Sequence, residues 1–461
     1  MTKLCLVALA TLATIAALVP VNHATKDPKT VCYYESWVHW RHGDGKMEPN
    51  EIDTSLCTHI VYTYFGIDAI THELKWLDPY LMKDLHDIEK FVQAKGKAKA
   101  MIAIGGASMS DQFSITAGNE QYRDIFARSV VNFLAQYHFD GIMIDWYGVQ
   151  ERDSENLIHL LDKFDEKFAS TTYSMGITLP ATVATLDHYN VPKITVYVDF
   201  INVLTLDYAG PWGKVVDNAS PLPEQLKTME EYHKRGAPRS KLVMAVPMYA
   251  RTWRLASPLH QDLGDAAISG GTKGPYTDTE GILSYNELCV RIKGSPNSFN
   301  IVRDVANTAV HAVYLHGNEA EFYSFEDTKT LAAKAHNVTT MGYGGLSIFT
   351  LSNEDSHGTC GKKYPLLHSI VENYNHDPID EVPITTIPPP TPHPTEVVTD
   401  IPGVFKCHSV GKFRDHEYCF KYYDCVMGDF GLESTVMYCE RHQAFDEKTY
   451  KCVEASQIPG C

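Results

Sequence analysis

Eight apolar runs, each followed by a helical pattern, constrain the fold of this chain more than any other feature. Near-continuous apolar runs are typical of parallel strands that are covered on both faces. Helical patterns such as 80–94 and 154–168 fall between them. Eight strand–helix repeats in about 350 residues predict an α/β fold, a (β/α)8 TIM barrel with any functional site at the carboxyl ends of the strands. The runs are 30–36, 58–65, 98–104, 139–146, 173–179, 200–206, 242–249 and 345–350.

Length and net charge limit the possible domain organisation and the possible partners. A chain of 461 residues is longer than one barrel requires, so we expect a large domain with smaller additions. Its 44% hydrophobic and 21% charged residues are typical of a soluble globular protein. A net charge of −17 argues against nucleic acid or an anionic membrane surface as a partner, because both attract clustered Lys and Arg.

The amino terminus predicts secretion. An apolar run over 4–21 ends shortly before Ala24, which predicts a secretory signal peptide over residues 1–24 and an extracellular protein. A membrane anchor is the alternative. It is disfavoured because Thr11 and Pro20 interrupt the run and no second long apolar segment follows.

Cysteine placement predicts a second, smaller module. Of eleven cysteines, Cys5 leaves with the signal peptide, and the remaining even number can pair fully in an oxidising compartment. Six crowd into the carboxyl-terminal part, which predicts a disulfide-rich β module at 403–461. Zinc is the alternative, and the spacings lack the paired C-x2-C knuckles that it favours. We expect no metal and no cofactor.

Two further segments interrupt the barrel pattern of residues 25–375. Residues 254–341 separate the seventh and eighth runs and are long enough for a small α+β insertion, with a long surface loop as the alternative. Residues 376–402 are rich in Pro, Thr and acidic residues, which predicts a stiff linker that lets the last module reach a surface independently. Asn337 begins a clean N-glycan sequon, and Asn218 begins a weaker one that Pro221 follows.

The fourth run carries an unusual charge. On a strand, alternate residues share a face, so Met143, Asp145 and Tyr147 point the same way. A carboxylate inside such an apolar run is costly unless it has a partner or a function. The stretch resembles the signature strand of the family 18 glycoside hydrolases, the chitinases, which reads Asp-Gly-x-Asp-x-Asp-Trp-Glu. The matching residues are Asp140, Gly141, Asp145 and Trp146.

The resemblance also shows which catalytic groups are replaced. In this family the substrate's own acetamide is the nucleophile. The resemblance implies a Glu that protonates the leaving oxygen, an Asp that orients the acetamide and a Tyr that holds it. These positions are Tyr147, Met143 and Leu206 here. A phenol with a pKa of about 10 is a poor donor beside a carboxylic acid near 4, and general acid catalysis is worth about 10²–10⁴ in rate.

No neighbouring carboxyl replaces the missing acid. Asp145 lies two residues deeper than Tyr147, about 6.6 Å away at about 3.3 Å per residue. Proton transfer needs heavy atoms within about 3.2 Å or a single bridging water. Glu151, just beyond the strand, is the only spare carboxyl nearby. We therefore expect no hydrolytic activity, and a weakly active chitinase that uses an unrecognised acid remains the alternative.

The resemblance extends over residues 29–375 and implies a groove. The third run keeps its two glycines, whereas Ala103 and Ala107 stand where chitinases typically have Ser and Trp. The sixth and seventh runs keep an Asp, a Trp and an Arg, and the eighth has Phe in place of the Trp under the cleaved sugar. The implied groove residues are Asp145, Tyr147, Asp207, Trp212, Arg251 and Phe349.

The carboxyl-terminal cysteines resemble a second family. Their spacing alone leaves fifteen connectivities open, but with the interleaved Tyr and Phe it resembles the peritrophin-A type chitin-binding modules, carbohydrate-binding family 14. Exposed aromatics can stack on the apolar faces of sugars. Tyr422, Tyr423 and Phe445 are the candidates, with a place in the small module's core as the alternative. The two resemblances imply the pairs Cys407–Cys425, Cys419–Cys461, Cys439–Cys452, Cys32–Cys57 and Cys289–Cys360.

Taken whole, the chain resembles the arthropod chitinase-like proteins that include the group 18 mite allergens. The resemblance implies a secreted, monomeric, hydrolytically inactive protein that binds chitin or N-acetylglucosamine oligomers chiefly through its last module. Besides the weak chitinase, one further alternative stays open, a signalling lectin whose barrel itself engages a glycoprotein.

Overall fold

The computed structural model describes residues 27–374, 404–415, 418–440, 443–458 and 461. The predicted signal peptide and linker lie outside the described residues. Among those that are described, no helix has the length and apolarity needed to cross a membrane.

The described elements follow the predicted alternation closely. The α-helices are α1 (Asp87–Ala94), α2 (Ser110–Ala117), α3 (Glu120–Tyr137), α4 (Ser154–Phe168), α5 (Val191–Tyr197), α6 (Leu222–Lys234), α7 (Tyr285–Gly294), α8 (Thr328–Thr340) and α9 (Pro365–Asn373). The strands are β1 (Lys29–Glu35), β2 (His59–Ile67), β3 (Leu74–Trp76), β4 (Lys99–Gly105), β5 (Gly141–Asp145), β6 (Ser174–Pro180), β7 (Phe200–Leu204), β8 (Leu242–Pro247), β9 (Tyr249–Leu255), β10 (Ala267–Gly270), β11 (Ile282–Ser284), β12 (Phe299–Asp304), β13 (Ala309–His316), β14 (Glu319–Phe325), β15 (Gly345–Phe349), β16 (Gly411–Arg414), β17 (Lys421–Gly428), β18 (Gly431–Tyr438), β19 (Gln443–Asp446) and β20 (Lys451–Glu454).

Eight parallel strands close into a barrel, which confirms the predicted fold class. Their order is β1-β15-β8-β7-β6-β5-β4-β2, and β1 also pairs with β2 to close the ring. Each of the eight apolar runs overlaps one of these strands, with ends that differ by at most a few residues. Alternate side chains therefore face two environments. One set packs against the surrounding helices in the main core. The other set fills the barrel's interior and includes Tyr33, Met101, Met143, Phe200 and Val243.

The insertion is a folded α+β unit between β8 and β15. Its antiparallel strands run in the order β10-β9-β14-β13-β12, with β11 pairing on β9 and α7 following β11. The predicted bounds of 254–341 differ from this unit at both ends. It begins at Tyr249 because the apolar run of β8 continues directly into β9. It ends at Phe325, since Leu331 and Val338 of α8 belong to the main core.

The carboxyl-terminal module is a three-stranded antiparallel sheet, β16-β17-β18, with a β19–β20 hairpin. Contrary to the expected independent module, it continues the insertion's sheet. β18 pairs in parallel with β12, with Ile301 opposite Glu433 and Arg303 opposite Thr435. The module is therefore joined to the barrel's insertion through backbone pairing as well as through the chain.

Five disulfides join the ten cysteines that the structure describes, and they are the pairs that the two resemblances imply. Two lie in the barrel part, Cys32–Cys57 and Cys289–Cys360. Three hold the module, Cys407–Cys425, Cys419–Cys461 and Cys439–Cys452. No described disulfide crosses from the barrel to the module.

Candidate functional site

Asp145 ends β5 at the carboxyl end of the barrel, and its side chain is buried. Thr178 donates a hydrogen bond to its Oδ1 at 2.6 Å, whereas Oδ2 has no hydrogen-bond partner. Burial raises the pKa of this carboxyl to about 7, although the hydrogen bond from Thr178 opposes the shift. Below neutral pH the group is therefore mainly a neutral acid held inside the barrel.

Tyr147 occupies the position that the family resemblance assigns to the proton donor. Its hydroxyl lies 3.3 Å from the hydroxyl of Tyr64. Burial, and then the charge of Asp145, raises the pKa of Tyr147 well above its usual value. This phenol therefore keeps its proton across the neutral pH range.

The other two replaced positions contain no ionisable group. Met143 lies in the interior cluster of the barrel beside Met101 and Phe200. A Cβ at Gly176 would overlap its sulfur, so this side chain fills the space that faces β6. Leu206 follows the end of β7 and is half-buried. The polar groups that would orient an acetamide are thus replaced by packing.

The groove residues predicted from the sixth and seventh apolar runs form one cluster around Asp207. The guanidinium of Arg251 donates two hydrogen bonds to Asp207, at 2.7 Å and 2.6 Å. Tyr249 donates a third to the same carboxylate at 3.0 Å. The indole of Trp212 lies over the guanidinium, 5.1 Å from ring centroid to Cζ, and stays exposed. Arg251 and Trp212 therefore hold each other in a fixed orientation at the groove wall.

Phe349 forms part of the groove floor. It is half-buried at the end of β15, and its ring centroid lies 5.4 Å from that of Tyr33. Ala103 lies inside the barrel and Ala107 is exposed just beyond β4. Neither alanine offers a stacking face.

Sequence reasoning missed a row of aromatic rings at the mouth of the barrel. Trp37 stacks on Tyr64 with ring centroids 6.2 Å apart, and the hydroxyl of Tyr64 lies beside the hydroxyl of Tyr147. Trp40 stacks on Tyr80 at 6.3 Å. Trp37, Trp40 and Tyr80 are exposed. The available signal was the i, i+3 spacing of the two Trp residues directly after β1, since such residues share a face of the short 3-10 helix that follows.

The structure corrects the ring assignment in the carboxyl-terminal module. Tyr422, Tyr423 and Phe445 are only 9%, 8% and 1% exposed. Tyr422 stacks on Phe445 at 4.0 Å, and Tyr423 stacks on Phe405 at 3.7 Å. Both pairs form the core of a module that is too small to have another. Their faces are covered by the module itself and are closed to a sugar.

Three other rings lie on the surface of the module. Tyr418, Phe420 and Tyr438 are 46%, 47% and 63% exposed. Phe420 lies between the other two, 5.9 Å from Tyr418 and 6.3 Å from Tyr438, with the Phe420 and Tyr438 planes within 28°. We call these three residues the aromatic strip. Its flat, exposed rings have the form that stacking on sugar faces requires.

The remaining predicted sites differ in how well they fit the fold. Asn218 is buried, and its amide donates to Asp304 at 3.0 Å, so an attached glycan does not fit the folded protein there. Asn337 is half-buried on α8. All cysteine sulfurs that the structure describes are in disulfides and offer no thiolate to a metal.

The closed barrel, its α+β insertion and the ring-lined groove at the strands' carboxyl ends define a barrel of the glycoside hydrolase class. Residues 29–354 match the model of glycosyl hydrolases family 18, and the chain belongs to that family.

Three relatives place the chain more closely. It is 61% identical to a chitinase-like mite allergen, Der f 18.0101 of Dermatophagoides farinae, over 463 aligned residues that span 100% of each chain. A group IV chitinase of Ostrinia furnacalis matches with a TM-score of 0.72 and 30% identity, covering 76% of this chain and 100% of that one. Human YKL-39, described as a pseudo-chitinase that retains chitooligosaccharide binding, matches with a TM-score of 0.69 and 25% identity, covering 76% and 100%.

Proposed function

We propose that this protein is a secreted, lectin-like member of its family that binds chitin or N-acetylglucosamine oligomers without hydrolysing them. The observation that carries the proposal is the presence of Tyr147, a half-buried phenol beside Tyr64, at the position of the catalytic acid. The mite allergen named as chitinase-like and the human pseudo-chitinase support it as relatives. The proposed form is a monomer that needs no cofactor.

The absence of hydrolysis follows from proton transfer. Asp145 is an acid near neutral pH, but it is fully buried, and its one described side-chain hydrogen bond comes from Thr178 inside the barrel. No path remains for its proton to reach a glycosidic oxygen within hydrogen-bonding distance. Glu151 is exposed on a short 3-10 helix beyond β5. It is the single spare carboxyl to exclude by experiment.

We assign the main chitin affinity to the aromatic strip of the carboxyl-terminal module. Insoluble chitin presents a flat surface, and a row of exposed rings can stack on it without a deep pocket. The strip has three rings at 5.9 Å and 6.3 Å spacing, with Tyr438 the most exposed. The strip takes the role that the sequence assigns to Tyr422, Tyr423 and Phe445.

The aromatic row of the barrel favours a second candidate, a groove that also engages sugar or a glycoprotein glycan. Trp37, Trp40 and Tyr80 are exposed, and Trp37 stacks on Tyr64, whose hydroxyl lies 3.3 Å from that of Tyr147. A soluble oligomer that lies in the groove can stack on these rings even though no catalytic acid faces it. This candidate predicts oligomer binding that is independent of the module's strip.

Retention on chitin beads separates the two assignments. We expect full-length Phe420→Ala/Tyr438→Ala to be retained about tenfold or more weakly, since each stacking face contributes about 0.5–1.5 kcal/mol beyond burial. Tyr450→Ala, which removes another exposed ring of the module, is the matched control. If Trp37→Ala/Trp40→Ala loses retention and the strip variant does not, the groove is the main site and the assignment to the module is wrong.

A further inference from the structure

The carboxyl-terminal module contacts the rest of the protein through its β17–β18 hairpin. A two-residue loop, Asp429 and Phe430, connects the paired Gly428 and Gly431. Both loop residues contact the barrel part, and the strand that follows pairs with β12 of the insertion. The hairpin therefore has three separate kinds of contact with one surface.

Asp429 binds the start of α8. Its carboxylate accepts hydrogen bonds from the backbone N–H of Thr328 at 3.0 Å and from the Thr328 hydroxyl at 2.6 Å. Thr328 is the first residue of that helix, and Asp327 is its cap. The first N–H groups of a helix have no partner within the helix and attract negative charge. Asp429 supplies both the acceptor and the charge.

Phe430 fills an apolar seat between two cores. Its ring centroid lies 5.7 Å from that of Tyr285 and 5.7 Å from that of Phe325. It packs against the main core of the barrel and against the core of the insertion. An aromatic residue at the tip of a hairpin is ordinarily exposed, and here the barrel covers it.

A buried ion cluster lies behind the loop. Arg303 of β12 donates to Glu433 of β18 at 2.7 Å and 3.1 Å, and it also pairs with Asp327. Both carboxylates are fully buried. Separating the two parts would leave Glu433 without Arg303, whereas Arg303 would keep Asp327, and removal of one partner from such a cluster is strongly destabilising. The cluster therefore fixes the register in which β18 meets β12.

We propose that the module is stably docked on the barrel part of this protein and does not move independently at the end of the linker. The docking surface consists of β12, the start of α8 and the apolar site formed by Tyr285 and Phe325. Its partner is the module's own β17–β18 hairpin. Strand addition to an exposed edge is a common mode of recognition, and β12 would otherwise be an open edge. The association is specific enough to persist without the covalent linker.

Cleavage of the linker tests this proposal. A single protease site is inserted within residues 376–402 of the full-length protein, cut, and the product is run on a native size-exclusion column. No described disulfide spans the cut, so only non-covalent contacts hold the two parts together. We expect both fragments to elute in one peak at micromolar concentration. Elution in two separate peaks overturns the proposal.

A hairpin variant shows which contacts are responsible. In Asp429→Ala/Phe430→Ala the fragments should bind at least about tenfold more weakly and separate on the column, since buried aromatic anchors dominate such interfaces. Tyr450→Ala, away from the hairpin, should co-elute like the wild type. Peptide mapping of the three module disulfides checks that the variant module is folded. Co-elution of the hairpin variant at wild-type affinity would contradict the assignment of the docking surface.

Discussion

The barrel groove and the carboxyl-terminal module are the two candidate sugar-binding regions, and they differ in which of their aromatic rings are exposed. In the groove the catalytic positions are filled by Met143 and Tyr147, while exposed rings such as Trp37 remain at its mouth. In the module Tyr422 and Phe445 belong to the core, and Phe420 and Tyr438 outside that core are exposed. In the proposed account the groove lacks reactive groups but offers exposed rings for binding. The module offers exposed rings around a small stacked core.

This difference teaches how each region tolerates change. A barrel has a large core, so exchanging a few groove residues leaves the fold intact and removes only the chemistry. A module of this size depends on its disulfides and a few stacked rings, so its core rings cannot also be offered to a ligand. Binding and stability therefore reside in separate residues of the module. Four substitution experiments test the comparison of the groove with the module, and one of them tests this division directly.

The largest expected effect is the return of hydrolysis to the groove. Met143→Asp/Tyr147→Glu/Leu206→Tyr restores the three replaced groups together, and we expect release of product from N-acetylglucosamine oligomers about 10²-fold or more above the wild type. Tyr147→Glu alone should do little, because groups that act as a unit have non-additive effects. Equal activity of the single and triple variants would contradict the view that the three positions form one catalytic unit.

The next effect separates core rings from surface rings in the module. Phe445→Ala removes a buried ring that stacks on Tyr422 and should lower the free energy of unfolding of the module by about 3–5 kcal/mol. Phe420→Ala should leave the thermal unfolding midpoint nearly unchanged while chitin retention falls. Calorimetry and bead retention on the same samples measure both. A surface variant that unfolds like the core variant would remove the distinction.

The pH dependence of the free energy of unfolding shows whether the buried Asp145 destabilises the folded protein. Its folded pKa is about 7, against about 3.9 in an unfolded chain. As pH rises from about 4 to 7, the unfolded chain releases this proton while the folded protein keeps it. The free energy of unfolding therefore falls across this window. Asp145→Asn keeps an acceptor for Thr178 and removes that cost. Its stability relative to wild type should increase across this window by up to about 4 kcal/mol, and denaturant titrations at several pH values measure it. A constant difference would mean that the carboxyl stays ionised.

The smallest effect concerns the aromatic row. Trp37→Ala should weaken the binding of a soluble N-acetylglucosamine oligomer by about two- to tenfold, because one stacking face contributes about 0.5–1.5 kcal/mol. Isothermal titration of the full-length protein measures it, with Val196→Ala as an exposed apolar control on α5. An unchanged affinity would remove the groove from the account of sugar binding.

The barrel could be predicted from sequence because its signal repeats. Eight apolar runs fix the strands, and the alternation in the fourth run places Met143, Asp145 and Tyr147 at one end of the barrel. The role of each ring in the module could not be predicted. Tyr422 and Tyr438 are the same residue type and both lie within three residues of a cysteine, yet Tyr422 is buried and Tyr438 is exposed.

The docking could not be predicted either. Arg303 and Glu433 are 130 residues apart and read as ordinary surface charges in a chain that is rich in acidic residues. Likewise Asp429 and Phe430 look like a plain hairpin loop. Their contacts become visible only in the folded structure, where the hairpin lies against the start of α8 and the insertion.

One measurement tests the central claim, binding without cleavage, most directly. Full-length protein is incubated with insoluble chitin between about pH 3 and 9, and the same samples are assayed for bound protein and for released oligomers. The account predicts retention of the protein on the chitin at neutral pH and no release above a heat-inactivated control at any pH. Release of oligomers above that control at any pH would contradict the account, and release that persists in Glu151→Gln would show that Glu151 is not the acid responsible.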